Sequence, residues 1–201
     1  MTQAFVLGNG ISRKAVALES LRPLGTVYGC NALYREFTPN VLVATDRPIA
    51  TAIQESGYAA RNVFHTRRPL EGSGAHPVPA PYFGYSSGPI ACALAAQAGH
   101  TPIYLVGFDM GPAKNQQFNN VYAGTEFYKP HTAAPTFTGN WIKQLIKIAQ
   151  DFPLAKFVRV HGPTTAEITQ FTTVPNLKSM DLSAFLNQFA ITPQTQTVAN
   201  S

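Results

Sequence analysis

A chain of 201 residues with 45% hydrophobic content suits one domain with a full core, so residues 1–190 read as a single unit and 191–201 as a frayed polar tail. Only 12% of residues are charged, while glycine and proline number 15 and 16, a balance that excludes a disordered chain and points to ordered loops. The net charge of +5 favours an anionic ligand, yet the cations stand singly or in pairs such as Arg13-Lys14 and Arg67-Arg68, which argues against nucleic acid.

Ala4-Phe5-Val6-Leu7 is a short apolar run that ends in Gly8-Asn9-Gly10, a strand followed by a tight turn. Ser12 is placed to cap a helix through Ala15, Val16, Leu18 and Leu21. A second strand, Thr26 to Cys30, ends at Asn31, and a short helix passes through Leu33 and Tyr34. A third, Val41 to Ala44, ends at Thr45-Asp46, with Pro48 where a helix can begin. Asn62 to His65 is a weaker strand.

Arg67 to Gly84 is rich in proline and glycine without periodicity, and reads as a long loop able to act as a lid. Ser87-Gly88-Pro89 opens a helix that Gly99 closes. Ile103 to Val106 is a buried strand ending in Gly107-Phe108-Asp109, followed by a polar segment, residues 111–135. An amphipathic helix near Asn140 to Asp151 places Trp141, Leu145 and Ile148 on one face, with Trp141 read as core packing. Phe157 to Val160 is a last strand, and Asn176 to Phe189 a small closing helix.

Cys30 and Cys92 lie in apolar stretches without CxxC spacing and read as buried free thiols. The first residues lack a signal-peptide pattern, and no apolar run is long enough for a membrane span, so the expected location is cytoplasmic. A homo-oligomer stays open.

Strands joined by helical crossovers imply an α/β fold: one Rossmann-like domain, a mostly parallel sheet with helices on both faces. Ligands in such sheets bind outside the carboxyl ends of the strands, which makes Gly8 to Gly10, Asn31, Asp46, Gly107 to Asp109 and His161 the candidate rim. The Gly8-Asn9-Gly10 turn lets a phosphate approach backbone and helix N-terminus, or is simply a tight turn. It is not a dinucleotide fingerprint: position 13 is Arg, no third glycine follows, and Asn31 stands where an acid would hold a ribose. Ser86-Ser87-Gly88 reads equally as a phosphate cradle or a helix cap. Asp46 and Asp109 read as caps or as ligands for a hydroxyl, amine or metal, and His131 as a loop histidine. The histidines make no metal spacing with one another.

Taken in order, Val6-Leu7-Gly8-Asn9-Gly10-Ile11-Ser12, Gly29-Cys30-Asn31-Ala32-Leu33-Tyr34, Ser86-Ser87-Gly88-Pro89-Ile90-Ala91-Cys92-Ala93 and Ile103 to Asp109 resemble the bacterial lipooligosaccharide sialyltransferases. The resemblance runs over residues 4–165, with the segment between the third strand and Ser86 compressed. It implies a CMP-activated sugar donor and no required metal or other cofactor. It implies that Asn9 and Gly10 lie along the donor phosphate and ribose, and that Asn31 meets nucleotide or sugar. Ser86, Ser87 and Gly88 would hold the cytidine and the sugar carboxylate. Tyr122 and Tyr128 would receive the leaving phosphate, and His131 would serve as general base.

The same blocks resemble, more weakly, pterin pyrophosphokinase-like proteins of the MptE type, whose strand-end acid Asp46 resembles and which use ATP with Mg²⁺. A third reading is a nucleotide-binding or virion-associated protein that kept the fold and lost the chemistry.

Overall fold

The computed structural model describes residues 2–194, so most of the tail assigned to residues 191–201 lies outside the described residues. Eight strands form one sheet: β1 Ala4–Leu7, β2 Thr26–Cys30, β3 Val41–Val43, β4 Val63–Thr66, β5 His76–Pro77, β6 Ile103–Val106, β7 Phe157–His161 and β8 Leu177–Asp181. Their order is β5-β4-β3-β2-β1-β6-β7-β8 and every pairing is parallel. Among the described residues four α-helices accompany them: α1 Arg47–Glu55, α2 Ser87–Gln97, α3 Gly139–Asp151 and α4 Leu182–Gln188.

The central strands read as unbroken apolar runs because both sheet faces are covered. Along β1, Ala4 and Val6 face a core shared with α2 and α3, while Phe5 and Leu7 face a second core with α1 and α4. β6 repeats this alternation, with Ile103 and Leu105 on the first side and Tyr104 and Val106 on the second. Helix α2 lies across β1, β2, β3 and β6. It has no polar stripe, and eight of its eleven residues are buried.

The chain winds outward from β1 to β5, and α2 then carries it back to start β6 on the other side of β1. The strand order therefore reverses between β1 and β6, and a crevice opens at their carboxyl ends.

Three stretches depart from the sequence expectation. No α-helix follows β1: two 3-10 turns, Ile11–Ala15 and Leu18–Leu21, are separated by extended Val16 and Ala17. The cause is tertiary, because the backbone N–H and hydroxyl of Ser12, expected to cap a helix, both donate to Asp109. The loop from Arg67 to Gly84 contains β5 and a 3-10 turn, Tyr82–Gly84. It is pinned by Gln54, which accepts from Leu70 N–H and the Ser73 hydroxyl, and by Arg67, which donates to the carbonyls of Phe83 and Tyr85. Asn176 to Phe189 is strand β8 followed by α4, not one helix. There the Asn176 amide donates to the carbonyls of Ala149, Phe152 and Ala155 at the end of α3, which delivers the chain beside β7 as a strand.

Candidate functional site

At the crevice lies a cavity of about 320 Å³. Its walls gather Gly8, Asn9, Gly10, Asn31, Asp46, Ser86, Ser87, Gly88 and Asp109, residues from five separate strand ends and helix starts. Gly8 to Gly10, Asn31, Asp46 and Asp109 reach the cavity because a parallel strand finishes beneath each, and Ser86 to Gly88 reach it at the start of α2.

The two glycines of the first turn serve the protein itself. A Cβ on Gly8 would stand 2.5 Å from the carbonyl oxygen of Gly107, and one on Gly10 would stand 2.4 Å from the carboxyl carbon of Asp109. No side chain fits either place, so both positions require glycine, and the turn lines the cavity with its backbone packed against the β6 turn. The N–H groups of the following turn are occupied as well: Ile11 donates to the Asn119 side chain at 2.9 Å and Ser12 to Asp109 at 3.0 Å.

Asp109 is 3% exposed and its carboxylate is fully engaged. It accepts from the Ser12 N–H and hydroxyl, from the Thr164 hydroxyl at 2.7 Å and from the Thr165 hydroxyl at 3.3 Å. Beneath it, Arg159 on β7 is 2% exposed and donates to the carbonyls of Phe108, Asp109 and Ala166, each at 2.8 Å. Burial pulls the Arg159 guanidinium down to about 10 against the pull of Asp109, so it stays a cation at neutral pH. Asp109, named from the sequence as a ligand contact, works here as a clamp that locks the β1 and β6 turns together.

A second chain of hydrogen bonds sets the polarity of the cavity wall. The Thr45 N–H donates to the Ser87 hydroxyl at 3.0 Å, and that hydroxyl donates to the Asn31 side-chain oxygen at 3.0 Å. Asn31 has a positive φ of 55°, a left-handed conformation that asparagine tolerates better than most residues. Its amide NH₂ therefore faces away from Ser87, with no partner among the described residues. At the start of α2, the Ser86 N–H is held by Gln144 at 2.8 Å, but no side chain caps the helix. The N–H groups of Ser87 and Gly88 are left at the cavity, where the helix end also carries partial positive charge.

Asp46 precedes α1 in the N-cap position, yet its carboxylate makes no cap bond and no other hydrogen bond among the described residues. Cys30 lies on the wall, but burial pushes its thiol up to about 12, so it is no nucleophile near neutral pH.

Three expected residues are not on the wall. Tyr122 donates to Glu36 and accepts from Arg13 at 2.9 Å, while the Tyr128 hydroxyl accepts from Ala32 N–H at 3.3 Å. Burial pushes both phenols above their ordinary range. Their rings pack at 5.5 Å behind the Asn9–Asn31 rim. His131 is exposed, beside Gly124, in the loop whose Phe118 N–H bonds the Ala133 carbonyl. That loop is tied to the site by Val121 N–H, which donates to the Asn9 carbonyl at 2.8 Å.

Sequence reasoning missed Arg67, Phe118, Asn119, Thr136 and Thr138 on the wall, and assigned Trp141 to the core alone although it also lines the cavity. Only the Asn119-Asn120 pair within a long polar stretch could have signalled this. The rest depend on how the loop folds back. Among the described residues, no three His, Cys, Asp or Glu side chains form a metal-binding group, and no helix is long and apolar enough to cross a membrane.

No family model matches this sequence, and no curated protein matches it. Solved structures do. Monofunctional α-2,3-sialyltransferase Cst-I from Campylobacter jejuni aligns with 100% of this chain and 87% of its own, at TM-score 0.58 and 13% identity. The Campylobacter jejuni sialyltransferase CstII in complex with the substrate analogue CMP-3FNeuAc aligns over 79% of this chain and 81% of its own, at TM-score 0.56 and 15% identity. A variant of CstII in complex with CMP aligns over 98% and 92%, at TM-score 0.53 and 15% identity. At that identity the likeness is one of fold: a Rossmann-like domain built on a parallel sheet.

Proposed function

We propose that the cavity holds a CMP-activated, sialic-acid-like sugar and that the chain transfers this sugar to an acceptor hydroxyl. The observation that carries the reading is the fixed set of free donors on one wall: the Asn31 NH₂ and the N–H groups of Ser87 and Gly88. They suit a ligand bearing a phosphate and a carboxylate, since each offers a hydrogen bond to an oxyanion without needing one in return. Trp141 and Phe118 on the wall give a flat base a surface to stack on. The shared fold supports the same choice, because two of its neighbours were solved with CMP or a CMP-sugar analogue.

In the transfer, the acceptor oxygen attacks the anomeric carbon and the bond from that carbon to the phosphate oxygen breaks. The electron pair leaves with CMP, whose oxyanion the wall donors receive, and the acceptor proton passes to a base. We assign that base to Asp46, because it lines the cavity and its carboxylate makes no hydrogen bond among the described residues. His131, the base implied by the resemblance, takes the role only if residues 111–135 carry it inward from its exposed position.

Asp46→Asn and His131→Ala separate these two, measured by CMP release from a CMP-sugar alongside thermal stabilisation by CMP without metal. The base variant should lose about 10²–10⁴-fold in turnover with CMP stabilisation nearly intact. No stabilisation by CMP refutes the donor reading. Stabilisation by ATP only with Mg²⁺, lost in Asp46→Asn, replaces it with the pyrophosphokinase-like one.

A further inference from the structure

A second cavity of about 200 Å³ adjoins the first, and Thr45, Asp46 and Arg67 line both. Its other walls bring together Arg47 at the start of α1 and Thr66 and Arg68 at the end of β4. Three arginines and one aspartate thus line one cavity. No carboxylate of the described residues pairs with any of the three, whereas Arg13, Arg22 and Arg35 each have an acidic partner. Arg67 is held in place by its bonds to the carbonyls of Phe83 at 2.8 Å and Tyr85 at 2.7 Å. Thr66 is 1% exposed and lines this cavity, yet its hydroxyl has no hydrogen-bond partner among the described residues. The uncapped start of α1 adds partial positive charge on the same side.

From this arrangement we infer that the second cavity seats an oxyanion, a carboxylate or phosphate, carried by the acceptor. Arg47 and Arg68 bind it, and the Thr66 hydroxyl donates to it. An acceptor anchored there by its anionic group presents a neighbouring hydroxyl at Asp46, the residue shared with the donor cavity. The inference rests on the proposed transfer for the identity of the ligand, while the anion seat itself stands on the Arg–Thr cluster.

The test is isothermal titration of the whole chain with inorganic phosphate and, separately, with glucuronate, each with and without saturating CMP. At least one anion should bind saturably in both conditions, and Arg47→Ala/Arg68→Ala should weaken it about fivefold or more. Thr66→Val should also weaken it without lowering the unfolding temperature, because the lost hydroxyl holds nothing in the free protein. Lys143→Ala, an exposed cation on α3, should leave it unchanged. Absence of saturable binding, or equal affinity in the double variant, overturns the inference. Displacement of the anion by CMP also overturns it, since the arginines would then serve the nucleotide's own phosphate. Anion binding that persists in a chain unresponsive to CMP upholds the seat and refutes the donor reading alone.

Discussion

Replacing Asp109 by Asn tests whether this residue is the clamp of the site. The carboxylate accepts from the Ser12 N–H and the hydroxyls of Ser12, Thr164 and Thr165, and it lies beside the Arg159 cation. An Asn oxygen in one carboxylate position can still accept from two of these donors, while its NH₂ forces two hydroxyls to turn and accept instead. Each charged hydrogen bond reduced to a neutral one costs about 1 kcal/mol, and release of a buried charge returns part of the sum. The expected loss is about 3 kcal/mol, which for a chain of this size lowers Tm by roughly 6–12 °C. Urea unfolding with an unchanged m-value, beside a thermal scan, reads it directly. Gly10→Ala should strain the same contact, since its Cβ would stand 2.4 Å from the Asp109 carboxyl carbon. The two substitutions should therefore fall short of additivity in the double variant. A Tm drop below about 2 °C for Asp109→Asn, or full additivity, refutes the clamp.

Two further outcomes follow from the site and from one titrating group. Ser87→Ala removes the hydroxyl that fixes the Asn31 amide and strands the buried Thr45 N–H, so it should destabilise the fold by about 1–3 kcal/mol and weaken CMP binding. Unchanged CMP affinity would show that the Asn31 orientation does not matter for ligand. His65 is pulled below its ordinary 6.5 by burial, and the nearby His76 adds to this against the Pro77 carbonyl contact. The unfolded chain therefore takes up its proton first, and stability present above pH 6.5 is lost as pH falls from there toward the folded value. Unfolding free energy measured from pH 7.5 to 5 should fall less steeply in His65→Gln than in the parent. Equal slopes would remove His65 as a source of acid lability.

The sequence by itself determined the sheet's centre and the rim at which the candidate cavity lies. β1, β2, β3 and β6 are buried on both faces, so each leaves a short, largely apolar run that needs no long-range information to recognise. Crossover connections between them make the strands parallel, and parallel strands put Asn31 and Asp46 at one rim, where the start of α2 adds Ser86 to Gly88. The tertiary structure alone decided what those residues do there. Ser12 gives up a helix cap for a carboxylate 97 residues away, and the Gly8 to Gly10 turn packs against Gly107 and Asp109 with no room for a side chain. Arg67 reaches the cavity, while His131 stays outside its wall, because of how loops of weak local preference are pinned, and Trp141 reaches it from the first turn of α3. Local sequence carries backbone propensity and burial pattern. The partners of a buried polar group lie far along the chain, and only the fold brings them within hydrogen-bond distance.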